Sequence, residues 1–352
     1  MNDSERMLRE QTRGLWATAC CFVLGAVAGA SALWGMTRPF AGDGSVMIPM
    51  ALIAGVIAGA AFVVSTLLHR AGETSPMPRW QALVSDLSSI AVTIALIGVT
   101  GLGVLLAGEV LAVGLQGLEL SAIGGGVLTA VAAALGGRLS FQLGVQLSTR
   151  AISALLFTFL IIGTLFAMIT ATDTAWWEHS FSQLGAGIGA WAFNGTLVIA
   201  GLLVATTGSY VGRDLHRMRG DDALRLIAPV VVIWALAGAG LAGVGLLPVD
   251  RMPVAHAIAA FTTLACVVTA AILTTTAVPA APRMLMVLTI GLVALIAVAV
   301  VFAFAVPVLS ITALESIVIG LVLLWMSTLA RVLGILAPQV SRPSLRRSPL
   351  RG

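Results

Sequence analysis

Apolar positions in this chain neither alternate nor form one-sided stripes. They run on continuously for about 17 to 25 residues at a time, long enough to cross a hydrocarbon core of roughly 30 Å as an α-helix. Ten such runs are read, at approximately 15–36, 46–68, 85–107, 121–137, 151–172, 187–207, 225–246, 254–277, 284–306 and 309–334. Alternating ten-residue barrel strands are absent, and lipid leaves the backbone no other way to satisfy its hydrogen bonds, so every run is expected to be helical. The expected fold is therefore all-α, a polytopic transmembrane bundle of about ten helices.

Polar residues between the runs set the expected orientation. The chain has no lysine, and its arginines gather in the leader (Arg6, Arg9, Arg13), in every second connection and in the tail. Arg70 and Arg79, Arg138 and Arg150, Arg213 through Arg225, Arg283 and Arg331 onward fall on one side, against only Arg38 and Arg251 on the other. The positive-inside rule then places both termini in the cytoplasm. The fourth run is short and carries Gly124, Gly125 and Gly126, but omitting it would put Arg213, Arg217, Arg219 and Arg225 outside. The first run follows a basic leader and contains Ala-Ser-Ala at 30–32, yet it is too long for a typical signal h-region and is read as a retained helix.

Composition agrees with a membrane protein: 59% of residues are hydrophobic and 10% charged, against roughly a quarter charged in soluble domains. The net charge of +4 comes from topogenic arginines and is no argument for nucleic acid. Cys20, Cys21 and Cys266 lie within apolar runs, where they read as small packing residues and not as a disulfide or metal set. Three regions are expected. Residues 1–149 hold four helices and end in an interfacial connector at 136–150, residues 150–338 hold six helices, and 339–352 form a disordered, basic cytoplasmic tail.

The polar residues of the six-helix region concentrate in its outer connections. Between the fifth and sixth runs lie Asp173, Trp176, Trp177, Glu178, His179, Ser182 and Gln183, followed by Asn194 inside the sixth. Between the seventh and eighth lie Asp250, Arg251 and His256, and Glu315 sits about one turn into the tenth. If 177–185 is helical, His179 and Gln183 share one face and Glu178 and Ser182 the adjacent one. Asn194 is expected to hydrogen-bond across helices. Glu315, an acid within a membrane span, calls for a partner, and His256 and Arg251 are the candidates. Together Glu178, His179, Ser182, Gln183, Asn194, Asp250, His256 and Glu315 would line a polar cup at the outer leaflet.

Plainer roles compete with that reading. Trp176 and Trp177 fit an interfacial aromatic belt, and Gly185, Gly187 and Gly189 fit small-residue helix packing better than a phosphate cradle. No zinc-protease, serine-hydrolase or nucleotide-binding motif is present, so no metal or cofactor is expected.

The stretches HSFSQLGAGIGAWAFNGTLVIAGLL (179–203) and LLPVDRMPVAHAIAAF (246–261) resemble the bacterial and archaeal membrane proteins of domain-of-unknown-function family 998. The resemblance rests on Ser182, Leu184 and Gly185, on Phe193 and Asn194, on Gly201, Leu202 and Leu203, and on Pro248, Asp250 and His256, within 151–338. It implies a six-helix membrane unit. The family commonly has an aspartate where Gln183 stands, so a role needing a carboxylate there would pass to Glu178. A more distant likeness links that family to eukaryotic autophagy-modulator and GPI-anchor-remodelling membrane proteins, an analogy of fold that does not fix function.

Two functions are carried forward, both in a prokaryotic plasma membrane. The favoured one is non-enzymatic, with the cup binding membrane lipid or another membrane protein. The alternative is an enzyme acting on lipid headgroups, with His256 as general base oriented by Asp250 or Glu315 and with His179 or Ser182 on the substrate. A transporter would need a polar lining at the bilayer midplane, and the helix interiors carry none.

Overall fold

A computed structural model describes residues 3–337 apart from 71–78, 146, 188 and 307. It contains ten long helices: α1 (Asp3–Ala32), α2 (Met47–Arg70), α3 (Arg79–Ala112), α4 (Ala122–Val145), α5 (Thr149–Ile169), α6 (Trp191–Arg219), α7 (Leu224–Leu246), α8 (Pro253–Ala277), α9 (Arg283–Phe304) and α10 (Ile311–Leu336). Each contains a stretch long and apolar enough to cross a membrane. The chain divides into two compact units, one of 1–77, 89–147 and 161–169, the other of 78–88, 148–160 and 170–352. The basic tail, 339–352, lies outside the described residues.

In the first unit α4 packs against α1, α2 and α3 through residues too small to hold the backbones apart. A Cβ on Gly25 of α1 would lie 2.9 Å from the Cα of Ala130, and one on Gly126 of α4 would lie 2.9 Å from the carbonyl oxygen of Ala26. Apolar side chains gain nothing by leaving lipid for one another, so close backbone approach and interhelical hydrogen bonds must hold such helices together. Ser65 of α2 provides one of these bonds, donating to the Phe141 carbonyl of α4 at 2.7 Å. At one end of the unit, the short strands β1 (Arg38–Pro39) and β2 (Glu119–Leu120) join the α1–α2 and α3–α4 connections as an antiparallel pair.

The course of α4 corrects one expectation. The helix does not give way near residue 137 to an interfacial connector but continues to Val145. Gly136 and Gly137 fail to break it because they are contact points, facing Thr100 and Cys21. Ser140 and Phe141 beyond them are buried as well. Of the cysteines, Cys21 and Cys266 are buried and Cys20 is exposed, all as free thiols.

In the second unit α6 and α7 cross at Gly201 and Gly238. A Cβ on either glycine would run into the carbonyl oxygen of the other, so no larger residue fits without moving a helix. Deeper in the unit, four helices share a polar network. The indole of Trp234 (α7) donates to Thr274 Oγ1 (α8) at 3.0 Å, and that of Trp325 (α10) donates to Thr289 Oγ1 (α9) at 2.9 Å. Thr289 also meets Thr275 of α8 at 2.8 Å, while the two indoles stack with centroids 6.1 Å apart. Buried in this way, each indole N–H has an acceptor, as burial of a polar group requires.

Candidate functional site

Local capping positions the functional side chains. Pro253 opens α8 at its first position, where its missing N–H costs nothing, and this places His256 in the first turn. Ser310 caps α10 by accepting from the Ala313 N–H at 3.1 Å, and this places Glu315 one turn further on. The α5–α6 connection is longer than expected, because α6 begins at Trp191 and not near residue 187.

That connection is not one helix over 177–185. It forms two 3₁₀ turns, Trp176–Glu178 and Phe181–Gly185, with an extended Ser180 between them. The reason lies in the hydrogen bond that an α-helix would make from the Phe181 N–H to the Trp177 carbonyl. Here the Phe181 N–H donates to Glu315 Oε2 at 2.7 Å, and the Trp177 carbonyl accepts from Thr312 Oγ1 at 2.7 Å. Both groups are thus taken by α10, and His179 and Gln183 do not share a helical face.

Ser182, His256 and Glu315 come together. His256 is buried, with Nδ1 2.7 Å from the Leu247 carbonyl and Nε2 2.8 Å from Ser182 Oγ. Glu315, half-buried, accepts from the Phe181 amide at 2.7 Å and has the Ser182 hydroxyl as a polar neighbour. Side chains from the α5–α6 connection, α8 and α10 are therefore linked in one chain, Leu247–His256–Ser182–Glu315, at one end of the unit.

The Leu247 carbonyl only accepts, so the Nδ1 that faces it carries a hydrogen, and Nε2 is left to accept from the Ser182 hydroxyl.

Other expectations need correction. Among the described residues Glu315 makes no hydrogen bond or ion pair with His256 or Arg251, and its hydrogen-bond partner is the Phe181 amide. Asp250 does not orient His256. It is exposed in the α7–α8 turn, as is Arg251, and the Leu247 carbonyl takes the orienting position. Asn194 lies in the first turn of α6 and does not bridge helices. Its Nδ2 donates to the Gly185 carbonyl at 3.0 Å and closes the second 3₁₀ turn onto α6. Gly185, Gly187 and Gly189 precede α6 and form no helix-packing stripe, and Gly187 takes a φ of +76°.

Glu178 and His179 are exposed and Gln183 is half-buried. Among the described residues, none of these three nor Asp250 has a side-chain hydrogen bond or ion pair to the linked set. Trp177 is exposed, whereas Trp176 packs on Phe181 with centroids 5.2 Å apart. Among the described residues no group of three or more His, Cys, Asp or Glu could hold a metal ion.

Sequence reading missed the backbone partners at Leu247 and Phe181, which have no side-chain signature, and also Thr312. A shallow apolar groove lies along the outer side of α8, beside His256, lined by Pro253, Val254, Ala257, Ile258, Phe261 and Thr262. One helix therefore offers a buried polar residue on one face and an exposed apolar strip on another.

Neither the curated proteins nor the solved structures contain a match to the chain. A family model described as "Protein of unknown function (DUF998)" matches residues 151–332, which runs from α5 into α10. With more than half its length matched and ten helices of membrane-spanning length, the chain is an integral membrane protein that belongs to the DUF998 family.

Proposed function

We propose that this protein sits in the plasma membrane of a prokaryote with both termini in the cytoplasm, and that it binds membrane lipid at the outer leaflet without turning it over. The arginine distribution supports the orientation, because the arginine-rich connections all fall opposite the end that carries His256. The observation that carries the binding role is the adjacency of two surfaces on α8. The Ser182–His256–Glu315 chain supplies polar groups at headgroup depth, and the apolar groove from Pro253 to Phe261 offers a track for an acyl chain. The exposed Glu178, His179 and Asp250 would form the rim that meets the headgroup, with Asn194 holding the loop in place.

A second reading is favoured by one distance. Ser182 Oγ lies 2.8 Å from His256 Nε2, within the range of a nucleophile and its general base. In that version Ser182 Oγ attacks the carbonyl carbon of a lipid ester, His256 Nε2 takes the hydroxyl proton and passes it to the departing alcohol as the ester C–O bond breaks, and water then cleaves the acyl-serine. Against it stands the carboxylate of Glu315 beside the same hydroxyl, a negative charge next to the would-be nucleophile that would oppose an oxyanion forming there.

One experiment separates the two. The purified protein is treated with a fluorophosphonate probe, and lipids retained after purification are identified by native mass spectrometry. The binding reading predicts retained lipid, reduced in Phe261→Asp and in His256→Ala, with no adduct on Ser182. A stoichiometric Ser182 adduct that is lost in His256→Ala would establish the enzyme instead. Retained lipid unaffected by either substitution would overturn the proposed site.

A further inference from the structure

The opposite end of α6 carries a charge arrangement that the site above does not use. Tyr210, Arg213, Asp214 and Arg217 fall at i, i+3, i+4 and i+7, on one side of the helix. Asp214 is buried, and its Oδ2 accepts from Thr149 Oγ1 at the start of α5 at 2.5 Å. Its other oxygen, Oδ1, lies 3.7 Å from Arg213 Nε and 3.7 Å from Arg217 Nη1. At that distance the carboxylate attracts both guanidinium groups but completes a hydrogen bond with neither.

Each guanidinium group carries five N–H donors. Among the described residues neither Arg213 nor Arg217 donates a hydrogen bond, and the Nε of each is buried without a partner. The Arg213 guanidinium is held in place by the Tyr210 ring, 4.1 Å from its centroid. Arg219, further along the helix, is already engaged, donating from Nε to the Ala277 carbonyl at 2.6 Å. The result is two positive charges against one carboxylate, with both Nε donors unpaired and the partly exposed forks open to an incoming acceptor. Both nitrogens approach the same carboxylate oxygen, so they can be no further apart than twice 3.7 Å.

We propose that Arg213 and Arg217 form a binding site for a phosphate group. Guanidinium forks match phosphate oxygens in geometry, and a tetrahedral anion can accept from two forks at once while cancelling the excess charge. The site lies toward the end of an apolar stretch of membrane-spanning length, Trp191–Arg219, which would bring it near phospholipid headgroups. The Asp214–Thr149 pair is the positioning element. It draws both arginines to one oxygen without using up their donors.

The test uses the full-length protein in nanodiscs of phosphatidylcholine with a minor fraction of phosphatidylglycerol, and measures enrichment of phosphatidylglycerol in the co-purified lipid shell. The site predicts enrichment in the native protein, lost about tenfold in Arg213→Gln/Arg217→Gln and reduced several-fold in Arg213→Lys/Arg217→Lys, which keeps the charge but not the forks. The exposed Arg225→Gln is expected to leave it unchanged.

The second arm titrates inorganic phosphate into the native protein in detergent and reads its thermal unfolding. Stabilisation by millimolar phosphate, absent in the lysine variant, together with no lipid enrichment, supports the site and identifies a soluble phosphate compound as its source. Lipid enrichment without an effect of free phosphate supports the site and identifies the headgroup. Equal loss in Arg225→Gln and in the double variants would overturn the proposal, because charge alone would explain it, and so would no response in either arm.

Discussion

Replacing Glu315 tests the linked chain most simply, because glutamine and alanine should behave very differently there. Alanine removes the acceptor of the Phe181 N–H and a polar neighbour of Ser182. An unpaired polar group away from water costs about 1–3 kcal/mol. Glu315 is only half-buried and Ser182 keeps His256 as a partner, so the lower part of that range applies to the Phe181 N–H, a loss of about 1–2 kcal/mol. Glutamine keeps a carbonyl oxygen for the Phe181 N–H, and its amide N–H can donate to Ser182 Oγ, which leaves the serine hydrogen for His256 Nε2. Both the Phe181 N–H and the Ser182 hydroxyl then keep a partner, so Glu315→Gln should lie within about 1 kcal/mol of the native protein. Unfolding in mixed micelles with rising sodium dodecyl sulfate, followed by tryptophan fluorescence, measures both variants. Equal destabilisation by Gln and Ala, or an Ala variant within about 0.5 kcal/mol of native, would refute the reasoning.

Three further outcomes follow from other contacts. Gly238→Ala should destabilise by about 1–3 kcal/mol in the same assay, because its Cβ would overlap the backbone of Gly201 on α6, whereas Gly291→Ala, with open space around it, should not. Thr289→Val should cost about 1–2 kcal/mol, since the Trp325 indole loses its acceptor, and a shift in tryptophan emission should accompany it. Asn194→Leu should free the Gly185 carbonyl and raise the rate of proteolytic cleavage within 175–190, with a loss of about 1 kcal/mol in stability.

The ten helices were legible because each depends on a local property, an unbroken apolar run matched to membrane thickness. The end of α4 was not, because Gly136 and Gly137 look like a break in sequence and become contact points only when α1 and α3 are in place. Ser182, His256 and Glu315 stood out individually, since polar groups among apolar helices are costly enough to need a reason. Their connectivity did not stand out. It runs through Ser182 and through backbone groups of Phe181 and Leu247, and the same tertiary contacts override the helical reading of 177–185. The arginines of α6 were legible as topogenic charge, whereas their shared carboxylate at Asp214 depends on Thr149 at the start of another helix.

The central claim is that His256 and Glu315 act on one another through Ser182 and not by direct contact. A double-mutant cycle of His256→Ala and Glu315→Ala, measured with Ser182 present and again in a Ser182→Ala background, tests it most directly. The account predicts a coupling of at least about 0.5 kcal/mol that vanishes once Ser182 is alanine. Additive effects with Ser182 in place, or a coupling that survives its removal, would contradict it.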